Sequence, residues 1–364
     1  MSKPADPDYN PKVGPKYGTL ILAGGGTLPD EIYAEVLHAA ALFVNPSSLT
    51  PREVNLVLIP TASDAADPTT AASTRRDAAA FTRLGGAELD LKLNITILHT
   101  AEREEADTEE FVRPLWRAHA VWFGGGRQWR LVDAYAGTKT EGAVWGVLEG
   151  TNLDRSEPRI QDRDQNQPQD SEARRRKGGV IGGTSAGASI QGSILARGDV
   201  SGNQIMLSSH APHRKGFGFL RNVAVDQHVL ARNRVFDMFG LLSEVQSQGQ
   251  NTDNPHTGSQ TPSQAPLGLG IDESTALVVH QDGLDVIGGG YGIIYDSGFW
   301  SREGGVEEFK KGRLPADPNR WFYFIRKGDR YHLGERKVLE ARRDEEESRS
   351  LGLEKESREQ GERS

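Results

Sequence analysis

The sequence predicts an α/β fold with a mostly parallel sheet. Short apolar runs alternate along the chain with segments of helical spacing, and this alternation is typical of βαβ units. Several of the apolar runs end in turns rich in glycine or other small residues. In open α/β sheets the functional site lies at the carboxyl ends of the strands, so these turns mark where a site is expected.

The predicted strands are continuous apolar runs, as expected for strands that are buried on both faces of a sheet. The first contains Leu20, Ile21 and Leu22 and leads into the Gly24–Gly26 turn, and Pro60 ends the second. In chain order, strands are expected over residues 18–23, 55–59, 94–98, 120–123 and 179–182. Three more short strands, at residues 267–271, 275–279 and 284–287, are separated by turns and predict hairpins that complete the sheet or form a second, smaller one.

Helices are predicted where apolar residues recur at helical spacing. Before the fifth strand they cover residues 29–43, 71–84 and 109–117. After it, residues 186–194 and 229–242 are expected to be helical.

The polar stretches define the domain organisation. The chain has 364 residues, of which 36% are hydrophobic, which suits one large domain with insertions or two domains. We expect a polar leader over residues 1–17, a single α/β domain over 18–334 and a charged tail over 335–364. Two stretches with few apolar residues, near 152–177 and 246–265, are predicted to be surface insertions, because they bury too little apolar surface to offset the entropy of ordering.

Composition excludes several kinds of partner. No run of about 18 apolar residues appears, so a membrane span is not expected. The polar residues 1–16 contain no apolar signal-peptide core, and we therefore expect a cytoplasmic protein. The formal net charge of −8 argues against a nucleic-acid partner, which usually requires a basic face.

Neither a metal nor an organic cofactor is expected. The chain has no cysteine, which removes thiol nucleophiles and cysteine-ligated zinc or iron–sulfur sites. The Gly24–Gly26 turn does not continue as a dinucleotide-binding G-x-G-x-x-G motif, because Pro29 occupies the third glycine position. These glycines are instead expected to let the backbone pass close to a pocket.

Residues 183–187, Gly-Thr-Ser-Ala-Gly, fit the pattern G-x-S-x-G between the fifth predicted strand and the next helix. Flanking glycines permit the sharp turn that exposes a serine hydroxyl. The following helix N-terminus directs backbone N–H groups, beginning with that of Ala186, at a developing oxyanion. The context favours Ser185 as a nucleophile over a merely tight βα turn.

A serine nucleophile needs a base and a group that orients the base. Among the nine histidines, His228 lies between an extended stretch and a predicted helix, which makes it the leading candidate base. The orienting acid is Asp226, Asp272 or Glu273, and the residues alone do not decide among them.

Five motifs, in chain order, resemble the family of cyanophycinases and aspartyl dipeptidase E, which are serine peptidases with a flavodoxin-like or class I glutamine amidotransferase-like α/β fold. The resemblance implies helices on both faces of the sheet. The motifs are residues 56–63 (LVLIPTAS), 121–128 (VWFGGGRQ), 183–188 (GTSAGA), 226–234 (DQHVLARNR) and 270–276 (GIDESTA). They span most of the chain.

The resemblance implies a role for each site residue. The catalytic triad would be Ser185, His228 and Glu273. The backbone amides of Ala186, Gly125 and Gly126 would form the oxyanion hole. Gln128, Asp226, Gln227, Arg232 and Arg234 would line the substrate pocket. Arginines suit peptides with an aspartyl or C-terminal carboxylate, because a guanidinium binds a carboxylate through two hydrogen bonds.

Three residues depart from the family pattern. Asp237 stands where a third arginine is common, Val229 where a phenylalanine is common, and Arg127 where an acidic residue is common. Asp237 is expected either to repel a substrate carboxylate or to pair internally with Arg234. These departures favour aspartyl or isoaspartyl peptides over cyanophycin as the expected substrate.

We expect a serine exopeptidase-like hydrolase of acidic peptides, and dimers are common in the resembled family. Two alternatives are weighed against it. One is an α/β-hydrolase-type esterase that uses Ser185, an acid such as Asp226, and His280. The other is a non-catalytic binding protein on the same fold.

Overall fold

The computed structural model describes residues 9–43, 52–152, 178–250, 265–296 and 322–340. Most of the two predicted insertions and most of the predicted tail lie outside the described residues. Residues 9–17 of the predicted leader pack against the domain: the carboxylate of Asp282 accepts hydrogen bonds from the backbone amides of Lys12, Val13 and Gly14 at 2.8–2.9 Å.

The described residues form fourteen strands, labelled in chain order. They are β1 (Thr19–Ala23), β2 (Arg52–Ile59), β3 (Leu91–Ile97), β4 (Ala120–Phe123), β5 (Val180–Thr184), β6 (Gly192–Ile194), β7 (Leu220–Gln227), β8 (Leu267–Ile271), β9 (Thr275–His280), β10 (Gly283–Gly288), β11 (Tyr291–Asp296), β12 (Phe322–Arg326), β13 (Arg330–His332) and β14 (Lys337–Glu340).

The α-helices of the same residues are α1 (Asp30–Phe43), α2 (Ala72–Ala87), α3 (Arg103–Ala106), α4 (Glu109–Val112), α5 (Gln128–Tyr135), α6 (Lys139–Glu149), α7 (Ala186–Ser189) and α8 (Asp237–Gln250). Short 3₁₀ helices cover Pro68–Thr70, Arg113–Arg117 and Ala211–Arg214.

The larger of two sheets has the strand order β14-β13-β10-β9-β1-β5-β4-β2-β3. The five strands from β1 to β3 in this order pair in parallel, and the other four extend the sheet as antiparallel hairpins. Alternate residues of β1 belong to different core clusters: Leu20 and Leu22 to one, Ile21 and Ala23 to the other. Helices α1 and α2 therefore cover one face, and α5 and α6 cover the other.

A second sheet of five strands has the order β12-β11-β8-β7-β6. Strands β6, β7 and β8 are parallel, and β11 and β12 join as antiparallel neighbours. Its β8 leads through residues 272–274 directly into β9 of the larger sheet. The chain thus passes between sheets beside the ends of β1 and β5.

The α/β prediction is confirmed, including the parallel strands, the helices on both faces and the C-terminal hairpins. The predicted helix at 109–117 is α-helical only to Val112, and continues as a 3₁₀ turn that contains Pro114.

Two predicted helices are wrong. The segment 186–194 is helical only to Ser189 and then becomes β6, because Gly192 lies against β7, where a Cβ would approach the carbonyl oxygen of Val223 to 2.7 Å. The segment 229–242 begins as turns, since Asn233 has a φ of 53° and the amide of Arg234 closes back on the carbonyl oxygen of Val229. The helix of that region starts only at Asp237.

Candidate active site

Ser185 lies on a sharp bend between β5 and α7, with φ 53° and ψ −113°. The bend requires a close approach of two backbones, because a Cβ on Gly187 would lie 2.2 Å from the carbonyl oxygen of Phe123. The amide of Ser185 donates to the carbonyl oxygen of Ala23, at the end of β1, at 2.9 Å. These contacts place the serine hydroxyl at the carboxyl end of the parallel strands.

His228 and Glu273 follow the carboxyl ends of β7 and β8, which are parallel neighbours in the second sheet. The His228 Nε2 atom is 2.9 Å from Ser185 Oγ. The His228 Nδ1 atom is 2.5 Å from Glu273 Oε1. The three side chains therefore form one continuous chain of hydrogen bonds, as in a serine–histidine–acid arrangement.

The protonation of His228 suits a base. Burial lowers the pKa of its imidazole below the ordinary value, and the hydrogen bond to Glu273 opposes this effect while the charge of Arg232 reinforces it. The ring is consequently neutral at neutral pH. A carboxylate only accepts hydrogen bonds, so Nδ1 carries the proton and Nε2 is free to accept the hydroxyl proton of Ser185.

The structure shows which of the three candidate acids contacts His228. Glu273 contacts His228. Asp272 instead accepts the backbone amides of Leu230 and Ala231 at 3.2 and 3.1 Å. Asp226 forms an ion pair with Arg197.

The glycine turn after β4 faces the nucleophile. A Cβ on Gly125 would lie 3.4 Å from the Ser185 Cβ and 3.9 Å from its Oγ. Gly126 has a φ of 146° and instead approaches the Ala62 carbonyl oxygen, which the amide of Arg127 contacts at 2.7 Å. Ala186, the third predicted oxyanion residue, is fully buried directly after Ser185.

The predicted pocket residues differ in their surroundings. Gln227 is buried, and its Oε1 is 3.5 Å from Ser185 Oγ. Gln128 is also buried, and its side-chain amide donates to the carbonyl oxygen of Ala196 at 3.1 Å. Gln227 thus lies beside the nucleophile, whereas the amide of Gln128 is engaged by the backbone.

The two predicted pocket arginines differ in exposure. Arg232 is exposed, and its charge acts on His228. Arg234 is only 6% exposed, and its Nη1 donates to the carbonyl oxygen of Gln227 at 3.3 Å. Within the described residues, Arg234 has no carboxylate within 4.0 Å.

Sequence reasoning missed Arg197, which is buried and holds Asp226 by two hydrogen bonds of 2.8 and 2.9 Å. Asp237 also pairs with Arg197, at 2.7 Å. Asp237 is expected from the sequence either to repel a substrate carboxylate or to pair with Arg234. In the structure it does form an internal ion pair, but with Arg197 instead of Arg234. Nothing in the residues around Arg197 marks it as buried, because a lone arginine in a predicted loop is usually exposed.

The esterase alternative required His280 beside Ser185, and the structure does not bring them together. His280 pairs with Thr19, at the start of β1, whereas Ser185 contacts Ala23 at its end. Within the described residues, no cluster of three or more histidine, cysteine or acidic side chains could hold a metal ion. The same part of the chain contains no helix that is both long and apolar enough to cross a membrane.

No protein-family model matches the chain. It is 27% identical over 248 residues to the cyanophycinases of Nostoc sp. and of Trichormus variabilis, covering 68% of this chain and 68% of each relative. It is 29% identical over 227 residues to the cyanophycinase of Synechococcus elongatus, covering 59% of this chain and 52% of that one. The chain is a homologue of the cyanophycinases.

The family resemblance drawn from the motifs is thereby confirmed. Solved structures similar to the chain include a peptidase from an acI-B1 actinobacterium, with a TM-score of 0.47, 22% identity and coverage of 87% of this chain and 97% of that one. Another is a putative peptidase E protein from Listeria monocytogenes, with a TM-score of 0.41, 13% identity and coverage of 75% and 99%.

Proposed function

We propose that the chain hydrolyses peptide or isopeptide bonds of aspartyl peptides through an acyl-enzyme on Ser185. His228 Nε2 takes the proton of Ser185 Oγ as the oxygen attacks the scissile carbonyl carbon, and then gives that proton to the leaving amine. A water molecule then loses a proton to His228 as it attacks the acyl carbon of the ester. His228 returns that proton to Ser185 Oγ as the bond between Oγ and the acyl carbon breaks, which releases the product acid. Glu273 stabilises the imidazolium that forms in each step.

The oxyanion of each tetrahedral intermediate needs hydrogen-bond donors. We assign these to the backbone amides of Ala186 and of the Gly125–Gly126 turn, of which Gly125 lies nearest to the nucleophile. Such a donor typically lowers the barrier by about 3 kcal/mol, because it is already oriented where charge develops.

Arg234 supports the proposal of an acidic substrate. A buried guanidinium without a carboxylate partner is unfavourable. Within the described residues, the Arg234 guanidinium makes one hydrogen bond, to the backbone carbonyl of Gln227, the residue before His228. A substrate carboxylate would neutralise it and use its remaining N–H groups. Arg232 adds a second, exposed positive charge that also acts on His228.

The observation that carries the proposal is the hydrogen-bonded chain from Ser185 through His228 to Glu273. The test is a panel of α- and β-aspartyl dipeptides incubated with the wild type and with Ser185→Ala. We expect the wild type to cleave at least one dipeptide and the variant to cleave none at a detectable rate, since the nucleophile is removed.

A fluorophosphonate probe provides an independent readout, because it reports an activated serine without requiring the right substrate. Covalent labelling of the wild type at Ser185 is expected. Equal dipeptide cleavage by wild type and Ser185→Ala would contradict the proposal, and an unlabelled wild-type Ser185 would favour the non-catalytic alternative.

A further inference from the structure

Arg197 forms the centre of a buried ion-pair network next to the candidate active site. Its Nε and Nη2 bind the two carboxylate oxygens of Asp226 at 2.8 and 2.9 Å, and Nη2 also binds Asp237 Oδ2 at 2.7 Å. Its Nη1 donates to the carbonyl oxygen of Asn203 at 2.6 Å. Arg197 therefore holds two carboxylates at once.

Burial lowers the pKa of Arg234, and the charges of both of these acids oppose that shift. Arg234 nevertheless has neither acid within ion-pair distance. Asp237 is the first residue of α8, and its side chain is 40% exposed. Its backbone amide donates to the carbonyl oxygen of Arg234 at 3.0 Å. This acid is the one that could turn to Arg234 if Arg197 released it.

We propose that Arg197 is a positioning residue that keeps Arg234 open for a substrate carboxylate, by holding Asp226 and Asp237 away from it. The inference rests on the proposed function, in which Arg234 receives an acidic group. It explains how a pocket can retain an acid such as Asp237 without losing its attraction for anions. The planar fork of an arginine is required, because only it can bind one carboxylate through two bonds and a second through a third.

The test replaces Arg197 with lysine, which keeps the buried charge but lacks the fork. Asp237, the more exposed of the two acids and the one held by a single bond, is then released toward Arg234. We expect the affinity for succinate, measured by isothermal titration calorimetry, to fall roughly tenfold, within the range of coupling seen inside one ion-pair network. The KM for a cleaved aspartyl dipeptide should rise by a similar factor, with little change in kcat.

The double variant Arg197→Lys/Asp237→Asn decides between positioning and general damage. Removing the released acid should restore succinate affinity to within about twofold of the wild type. Arg330→Lys is the matched control, because it also replaces the arginine of an Arg–Asp pair, with Asp285 at 2.8 Å, but between the paired strands β10 and β13 of the larger sheet. It should leave succinate affinity unchanged. Thermal midpoints of all variants report whether they are folded.

Three results would overturn the inference: wild-type affinity in Arg197→Lys, no recovery in the double variant, or no succinate binding by the wild type. None of them depends on Ser185. Failure of the proposed catalysis appears separately, as absent fluorophosphonate labelling of a wild type that still binds succinate.

Discussion

Ser185 and His228 both have positive backbone φ angles, 53° and 55°. Non-glycine residues rarely adopt this conformation, and where they do, the surrounding structure holds them, often at functional sites. Here the backbone holds both: the amide of Ser185 donates to the carbonyl oxygen of Ala23, and that of His228 to the carbonyl oxygen of Gly24, at 2.9 and 3.1 Å. Both residues that exchange a proton in the proposed mechanism therefore have a strained backbone that the same turn holds in place.

The pH dependence of labelling tests the role of His228 at this scale. The neutral imidazole is the active base, so the rate falls as pH decreases through its pKa. Burial holds this pKa below the ordinary value of 6.5, and the acidic limb of the fluorophosphonate labelling rate should lie below that pH. The measurement is the second-order labelling rate at successive pH values.

Arg232→Gln should move that limb to higher pH. The charge of Arg232 lowers the pKa of His228, so its removal favours the imidazolium and raises the pKa. Arg75→Gln is the control, since Arg75 lies on α2 and its Nη1 contacts the carbonyl oxygen of Thr70. A limb that stays in place in Arg232→Gln, or moves equally in both variants, would contradict this assignment.

The turn after β1 is the element that joins the site. Three consecutive carbonyl oxygens, those of Ala23, Gly24 and Gly25, accept the backbone amides of Ser185, His228 and Ser274. Each of the three residues of the proposed triad is therefore fixed, directly or through its neighbour, by one turn. Sequence reasoning expected these glycines to let the backbone pass close to a pocket, and in the structure Gly25 lies directly against the ring of His228.

Replacing Gly25 with alanine should disable the site. Gly25 has a φ of 104°, and its added Cβ would lie 2.2 Å from Cε1 and 2.5 Å from Nε2 of His228. The imidazole must move away from Ser185, and a displacement of about 1 Å in a catalytic group can cost about a hundredfold in rate. We expect a loss of that order in the fluorophosphonate labelling rate.

Gly240→Ala is the matched control, because Gly240 lies in α8 and a Cβ there has no neighbour within 4 Å. It should label like the wild type and be slightly more stable, as alanine restricts the unfolded chain. Unchanged labelling of Gly25→Ala would show that the turn does not set the position of His228.

Elements that depend on local pattern were predictable, and those that depend on distant contacts were not. Strands such as β4 and the bend at Ser185 follow from a short apolar run and from glycine spacing. The turn at 229–236 interrupts a segment with helical spacing, because it is fixed by the carboxylate of Asp272 from the connection between β8 and β9. A single sequence contains no signal for that contact.

At the scale of the whole molecule, the site belongs to both sheets. Ser185 follows β5 of the larger sheet, His228 follows β7 of the second, and Glu273 lies in the connection from β8 to β9. The motifs supplied these three residues in chain order. They could not show that the chain divides between two sheets, or that Arg197 is buried among the acids of the second, since both facts depend on packing between segments far apart in sequence.

The packing of α1 and α2 on the larger sheet contains a buried acid. Asp77 of α2 is 7% exposed, and it accepts hydrogen bonds from the Tyr33 hydroxyl at 2.7 Å and from the Trp122 indole N–H at 3.0 Å. Burial raises the pKa of Asp77 above its ordinary value of 3.8, although both hydrogen bonds oppose the shift. The folded state therefore binds a proton more tightly than the unfolded chain does.

The stability of the molecule should consequently depend on pH through Asp77. Between the unfolded pKa of Asp77 and its higher folded pKa, the folded state holds one more proton, so the free energy of unfolding falls as pH rises through this window. Asp77→Asn has no charge to bury. Its free energy of unfolding, measured by urea denaturation from pH 4 to 8, should improve relative to the wild type as pH increases. Tyr33→Phe should show the opposite trend. It removes a hydrogen bond that lowers the pKa of Asp77, so burial raises that pKa further and the free energy of unfolding falls more steeply as pH rises. Parallel pH profiles for the wild type and both variants would mean that Asp77 does not titrate in this window.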